Sequence, residues 1–221
     1  MAAPDSAAAP MDPFRLPDRE GFAWLKGNLH THTTCSDGRA TPQERLEQYA
    51  ARGYDFVCLS DHGRITPVDA LAVPAGMTVI PGAELHPHNP FGGQVHHFLA
   101  LGLRQDIDCA GRAPQHVIDS ARAQGASVWL AHPYWSSVST IRDVLPLRDL
   151  AGLEVFNTTC HRNARGESSV HWNDWMEQTG RLVPALATDD AHAAEADQHD
   201  TYGGWTMVRV RQRDADSIRA A

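Results

Sequence analysis

The chain of 221 residues has few cysteines, no long hydrophobic run and no excess of basic side chains. Its four cysteines, Cys35, Cys58, Cys109 and Cys160, include no pair at the two-residue spacing of zinc knuckles and thioredoxin-type sites. They are therefore interpreted as reduced thiols of a cytoplasmic protein. The absence of any run of about 18 apolar residues argues against a membrane-spanning helix. The net charge of −8 argues against general binding to nucleic acids or anionic membranes.

The first residues differ in composition from the rest of the chain. Residues 1–13 are rich in alanine, proline and aspartate, and they lack the basic and apolar regions of a secretory signal. We interpret residues 1–21 as a disordered N-terminal tail and residues 22–221 as one domain, which is an ordinary size for an α/β barrel.

Apolar runs of strand length alternate with helical patterns or polar loops along this domain. The clearest helix begins after Thr41, which forms a capping box with Glu44, and ends before Gly53. The alternation predicts an α/β fold with a mostly parallel sheet, and seven or so strands suit a closed or nearly closed barrel. The predicted strands are 24–33, 54–60, 78–80, 94–103, 127–131, 153–156, 182–187 and 205–210, and the predicted helices are 42–51, 114–124, 169–179 and 214–221.

The chain has 13 histidines, and histidine is the commonest metal ligand. Several follow predicted strands directly, and the carboxyl ends of parallel barrel strands meet at one face. Side chains alternate along a strand with period two, so His30 and His32 lie on one side, as do Asp190 and His192. Each residue alone has an ordinary explanation as a turn, cap or strand end, but their shared position predicts a joint metal site. The candidates are His30, His32, Asp61, His62, Glu84, His132, Asp190 and His192.

The adjacent pair His96 and His97 must point to opposite faces of its predicted strand. His97 shares a face with Val95, Leu99 and Leu101. If that face lines the barrel, His97 enters the metal site, and His96 packs under a helix or lies in solvent. We therefore predict His97, and not His96, as the ligand.

Several segments resemble, in order, the motifs of the PHP (polymerase and histidinol phosphatase) superfamily. The resemblance covers nearly the whole chain after about residue 22, on segments 27–33 with 35–38, 59–63, 81–84, 130–133 and 190–192. Within that superfamily, segments 25–32, 152–157, 187–192 and 203–205 are similar to the stand-alone, carbaryl-hydrolase-like branch.

This resemblance implies a distorted, PHP-like (β/α)7 barrel that binds two or three divalent ions, with zinc, manganese and iron as the candidates. The implied ligands are His30, His32, Glu84 and Asp190 for one ion, Glu84, His97 and His132 for a second, and Asp37, His62 and His192 for a third. Asp37 stands where some members carry histidine, and this harder ligand favours manganese or iron over zinc and leaves occupancy of the third position open. Asp61 precedes a ligand and is expected to orient an imidazole.

The same resemblance implies a hydrolase in which a hydroxide bridging two cations attacks the substrate. The leading hypothesis is a phosphoesterase that acts on a small organic phosphate or nucleotide ester. A carbamate or carboxylic ester hydrolase is the alternative, since the ligands alone do not choose between these bonds. A non-catalytic metal-binding domain is a third hypothesis, although competent residue types fill every expected ligand position. No nucleic-acid polymer and no membrane is expected as a partner.

Contacts to the substrate must come from the loops beyond the strands. Arg64 follows the ligands of the second strand and would bind a phosphate through two hydrogen bonds, although a solvated loop arginine is an equal alternative. Asn157 ends a strand and is expected to support a ligand or contact the substrate. Trp172 and Trp175 lie three residues apart on a helix and are assigned to the core. Further candidates for substrate contacts are His86, His88, Tyr134, His161, Arg162, Arg165, His171 and His199.

Overall fold

The computed structural model describes residues 20–88, 96–135, 140–194 and 199–221. The described strands are β1 (Ala23–Asn28), β2 (Phe56–Leu59), β3 (Thr78–Leu85), β4 (Phe98–Leu101), β5 (Ser127–Leu130), β6 (Gly152–Asn157), β7 (Ala185–Thr188) and β8 (Thr206–Val210). The described helices are α1 (Pro42–Ala51), α2 (Pro114–Ala123), α3 (Ile141–Val144), α4 (Thr158–His161), α5 (Ser169–Thr179) and α6 (Ala215–Ala220). Apart from Glu20 and Gly21, the predicted tail lies outside the described residues.

The strands form one mixed sheet in the order β7-β6-β5-β4-β3-β2-β1-β8. Strands β1 to β3 run parallel, as do β5 to β7. Strand β4 is antiparallel to both of its neighbours, and β8 is antiparallel to β1. Six of the eight described strands thus run in one direction, which agrees with the predicted mostly parallel sheet, and only β4 and β8 run the other way. An apolar run reads the same in both directions, so the hydrophobic pattern does not reveal which way a strand runs.

The two ends of the sheet meet, so the sheet forms a nearly closed barrel, as predicted. Beyond β1 and β7 the chain pairs directly: Thr31 bridges Ala191 in parallel, and the Asp190 amide donates to the His30 carbonyl at 2.8 Å. On the other side, the Thr206 hydroxyl of β8 donates to the carbonyl oxygen of Ala187 in β7 at 3.0 Å. The sheet thus has the eight strands that the sequence pattern predicts, one more than the (β/α)7 barrel that the resemblance implies, because β8 extends the β1 edge toward β7.

Two apolar layers hold the elements in place. Leu99 and Leu101 of β4 belong to the cluster inside the barrel, together with residues of β1, β2, β3 and β7. Phe98 and Ala100 face the other way, into the layer that includes α2. Trp172 and Trp175 of α5 pack partly buried against that outer layer, which confirms their assignment to the core.

Helix α1 begins and ends where the sequence predicts. The Thr41 hydroxyl accepts a hydrogen bond from the Glu44 amide at 3.3 Å, and the Glu44 carboxylate accepts one from the Thr41 amide at 2.7 Å, which completes the capping box. Among the described residues, no helix is both long enough and apolar enough to span a membrane. All four cysteines are free thiols.

We predict that Gly152→Ala destabilises the fold by about 1–3 kcal/mol, because β6 has no room for a side chain at this position. A Cβ atom there would lie 2.1 Å from the Pro184 carbonyl oxygen and 2.6 Å from a ring carbon of Trp129. Urea unfolding of the variant and the parent chain measures the effect. A change within about 0.5 kcal/mol, as at an ordinary surface position, would contradict it.

Candidate metal centre

The segment that follows β1 brings two imidazoles to the centre of the barrel face. His30 and His32 are fully buried, and their Nε2 atoms lie 3.1 Å apart. Each Nε2 also approaches Glu84 Oε2, at 3.2 and 3.3 Å, and Asp190 Oδ1, at 3.2 and 3.0 Å. These four side chains form the first of three donor groups.

The other oxygen of Glu84 faces a second group. Glu84 Oε1 lies 2.6 Å from His97 Nδ1 and 3.2 Å from His132 Nε2. His97 directly precedes β4, and because β4 runs opposite to its neighbours, its first residues lie at the same barrel face as the carboxyl ends of β3 and β5. The reversal of β4 therefore preserves the predicted convergence, while His96 stacks on Phe98 on the outer side.

The third group lies on the solvent side. Asp37 Oδ2 is 3.3 Å from His62 Nε2, and Asp37 Oδ1 is 3.4 Å from His192 Nε2 and 3.8 Å from His32 Nδ1. The Asp37 side chain is 56% exposed, whereas Glu84 is 1% exposed. All nine ligands that the family resemblance implies thus lie in the three groups, each compact enough to hold an ion, whereas the candidate Asp61 lies in none of them.

Buried polar atoms without hydrogen bonds show that these groups suit cations. Glu84 Oε2 and His32 Nδ1, which face the first and third groups, are buried without a hydrogen-bond partner. Buried polar atoms are nearly always paired, so such orphans in a native site need an explanation. Imidazole nitrogens and carboxylate oxygens are the donors that zinc and similar divalent ions prefer, and here they are directed at shared spaces. The residues therefore fit divalent ions.

The charge distribution of the cluster also favours cations. Burial raises the pKa of Glu84, but the neighbouring imidazoles of His30 and His97 outweigh it and hold the pKa well below its usual value. Burial lowers the pKa of His30, but Asp190, Glu154 and Glu84 outweigh it and raise the pKa well above its usual value. Glu84 thus stays ionised and attracts positive charge. A divalent cation can supply this charge, and so can a proton on His30.

Two predicted ligands have unusual backbone conformations. His132 has a φ of 24° and Asp190 a φ of 56°, in the region that favours glycine. Such conformations cost on the order of 1–3 kcal/mol and persist where surrounding contacts enforce them, often at functional sites. Here the His132 amide donates to Glu154 Oε2 at 2.8 Å, and Asn157 Nδ2 donates to Asp190 Oδ2 at 3.2 Å.

Glu154 is a central residue that the sequence reasoning missed. It lies fully buried on β6 and contacts His30 Nδ1 through Oε1 at 2.8 Å, so that His30 Nε2 points toward Glu84 and Asp190. The Thr188 hydroxyl also donates to it, at 2.5 Å. The sequence feature that could have identified it is a glutamate within an apolar strand. A carboxylate buried there requires polar partners.

We predict that Glu154→Gln weakens metal binding about 10–100-fold, because the amide no longer fixes the tautomer and orientation of His30. Competition against a chromophoric chelator measures the affinity. The matched control is Glu167→Gln, at an exposed position whose backbone pairs with Phe156 of this strand. Equal affinities in both variants would show that His30 needs no support from Glu154.

Asp61 supports a loop and not an imidazole, which corrects its predicted role. It accepts hydrogen bonds from the Thr33 amide at 2.8 Å, the Thr33 hydroxyl at 2.7 Å and the Ser36 hydroxyl at 2.5 Å, and another from Thr66. Burial raises the pKa of Asp61, but these hydrogen bonds outweigh it and lower the pKa. Its carboxylate therefore fixes the turn that leads to Asp37.

Asn157 and Arg64 occupy very different places. Asn157 is fully buried: Nδ2 donates to Glu154 and Asp190, and Oδ1 accepts from the Cys160 amide as the N-cap of α4. Its side chain therefore contacts Asp190, a predicted ligand. Arg64 is exposed on the loop after His62.

The remaining candidates for substrate contacts differ in their position and exposure. His199 and Arg162 line a cleft of about 400 Å³ together with His192 and Arg39. His86 and His171 are half-buried. The exposed candidates are His88, Tyr134, His161, Arg162, Arg165 and His199.

Similar proteins of known structure share this fold. No protein family model matches the chain. A two-domain protein from Bacteroides vulgatus, which contains a predicted PHP-like metal-dependent phosphoesterase, superposes with a TM-score of 0.64 at 21% identity over 97% of this chain and 66% of its own. The lesion-specific endonuclease PfuEndoQ from Pyrococcus furiosus superposes with a TM-score of 0.60 at 16% identity over 90% of this chain and 55% of its own. At these identities the likeness establishes a PHP-like barrel fold and no reaction.

Two of the curated relatives have a stated activity. The 5'-3' exoribonuclease of Haemophilus influenzae is 31% identical over 81 residues, which cover 35% of this chain and 29% of that relative. The phosphoribosyl 1,2-cyclic phosphate 1,2-diphosphodiesterase of Eggerthella lenta is 32% identical over 81 residues. That match covers 35% of this chain and 31% of the relative, so the chain spans about a third of the enzyme's length.

Proposed function

We propose that this protein is a metal-dependent phosphoesterase that hydrolyses a small organic phosphate or nucleotide ester. The observation that carries the proposal is Glu84, whose two carboxylate oxygens face separate groups of imidazole nitrogens in a buried cluster. A carboxylate so placed could serve two divalent ions, which would supply the charge stabilisation that attack on a phosphate ester needs. The PHP-like fold supports the proposal, because a predicted metal-dependent phosphoesterase has the same fold.

The residues divide into a closed side and an open side. His30, His32, Glu84 and Asp190 are buried and would hold the innermost ion, while His97 and His132 with Glu84 would hold the next. Bound divalent cations would make a water molecule nucleophilic near neutral pH and neutralise charge on the phosphoryl group. The half-exposed side, with Asp37, His62 and His192, leaves the substrate its approach.

The cleft beside His192 supports an anionic substrate of limited size. Arg39 and Arg162 line it together with one acidic residue, Asp200, and a guanidinium group can bind two phosphate oxygens at once. The volume of about 400 Å³ lies in the range of small-molecule sites. Because the chain carries a net charge of −8, we propose a small phosphate ester and not a nucleic-acid polymer, although PfuEndoQ is an endonuclease. The assignment to the carbaryl-hydrolase-like branch likewise remains a proposal.

A panel of chromogenic esters tests the bond type. Protein loaded with manganese or zinc is assayed with p-nitrophenyl phosphate, bis-p-nitrophenyl phosphate, and naphthyl carboxylic and carbamate esters. We expect turnover of a phosphate ester, with Glu84→Gln as the blank for contaminating phosphatases. Turnover of only the carboxylic or carbamate esters would replace the phosphoesterase proposal with the alternative.

A further inference from the structure

His86 lies against the cluster although it belongs to none of the three predicted ligand sets. Strand β3 ends at Leu85, so Glu84 and His86 stand two residues apart at its carboxyl end. The same spacing relates His30 to His32 and Asp190 to His192. On extended backbone it places both side chains on one side of the strand.

The three atoms nearest to His86 are arranged like the ligands of one ion. His86 Nε2 lies 3.0 Å from His62 Nδ1 and 3.8 Å from Glu84 Oε2, and His62 Nδ1 lies 2.9 Å from Glu84 Oε2. A tetrahedral ion with bonds of about 2.1 Å holds its ligand atoms about 3.4 Å apart, near the middle of these separations. Glu84 Oε2 is buried without a hydrogen bond, and because it also faces His30 Nε2 and His32 Nε2 it would be shared with the first group.

The two ring nitrogens of His62 face two different candidate cation positions. Its Nε2 faces Asp37 Oδ2 at 3.3 Å, while its Nδ1 faces Glu84 and His86. A neutral imidazole carries a proton on one nitrogen and binds a metal through the other. His62 therefore serves the position at Asp37 or the position at His86. The latter offers two imidazoles and a carboxylate that is 1% exposed, whereas the former offers three imidazoles and a carboxylate, Asp37, that is 56% exposed.

We propose that His86 is a metal ligand, and that with His62 Nδ1 and Glu84 Oε2 it forms a divalent-cation position that is an alternative to the one at Asp37. The donor set of two nitrogens and one oxygen suits a borderline ion such as zinc or cobalt. Because the His86 side chain is 29% exposed, this position opens toward solvent and can take a further ligand from there. The inference rests on the proposed metal centre.

Cobalt binding tests the inference without any assay of activity. Wild type, His86→Gln, Asp37→Asn and the control His116→Gln, on the exposed face of α2, are titrated with Co²⁺, and bound ions are counted by elemental analysis. We expect His86→Gln to weaken the binding of one ion about 10–100-fold and to alter the visible cobalt spectrum. We expect Asp37→Asn and His116→Gln to leave that ion in place. Loss of the ion in Asp37→Asn but not in His86→Gln would overturn the inference.

A second variant keeps the test decisive if His86→Gln does not fold. In His86→Cys, a thiolate at this position should give a sulfur-to-cobalt charge-transfer band, which only direct ligation produces. A folded, cobalt-loaded His86→Cys protein without this band would also overturn the inference. Wild type that binds no Co²⁺ would instead refute the proposed metal centre, so the two failures are distinguishable.

Discussion

The Glu84→Gln variant is expected to purify with few or no divalent ions and to lose phosphoesterase activity by about 10³-fold or more, equivalent to about 4 kcal/mol of transition-state stabilisation. Glu84 is the only described side chain that contributes to the first two donor groups together. In glutamine, an NH2 group replaces one carboxylate oxygen. This group is only a hydrogen-bond donor, so it cannot bind a cation as the carboxylate oxygen would. Steady-state kinetics and metal analysis of the same preparation measure both effects.

The control for this variant is Glu177→Gln, which makes the same substitution at an exposed position of α5. It should retain the metal content and kcat/KM of wild type. If Glu84→Gln kept its full metal content and activity while remaining folded, the assignment of Glu84 as a bridging ligand would be wrong.

The largest effect on stability is expected for Asp189→Asn, at about 2–5 kcal/mol of unfolding free energy. The Asp189 carboxylate accepts hydrogen bonds from the amides of Tyr202, Gly203 and Gly204 at 2.7–2.9 Å. It also accepts from the hydroxyls of Tyr49 at 2.7 Å and Thr158 at 2.8 Å. Asparagine turns one acceptor oxygen into a donor, so at least two of these buried donors lose their partner.

Tyr49→Phe is the matched control, because it removes only one of these donors and leaves the carboxylate with the others. We expect it to cost about 1 kcal/mol in chemical denaturation, clearly less than Asp189→Asn. Equal costs for the two variants would show that the backbone donors contribute little and that the tyrosine hydroxyl carries the effect.

Much of the candidate site could be predicted from the sequence by one rule. In an α/β barrel, functional side chains follow the carboxyl ends of the parallel strands. His30, His32 and Asp190 come together because their strands end at one face, and helix caps and apolar runs are enough to locate those ends. The face of β4 that carries His97 could also be predicted. Leu99 and Leu101 line the barrel interior, and because side chains alternate along a strand, His97 lies on the same face.

The direction of β4 and the supporting residues could not be read in this way. Hydrophobic alternation carries no information about strand direction, so the reversal of β4 appears only in the structure. Glu154 lies inside a strand and not at its end, so the rule that finds the ligands passes over it. The partners of Asp61 depend on how the turn at Thr33 and Ser36 folds back over β2, and the local sequence does not specify this contact.

Elemental analysis of the purified protein is the most direct test of the central claim that one buried cluster holds divalent cations. After reconstitution with manganese, zinc or iron and desalting, the account predicts two or three ions per wild-type chain and a large loss in Glu84→Gln. Wild-type protein that is folded yet retains well below about one ion per chain, whichever metal is supplied, would contradict it.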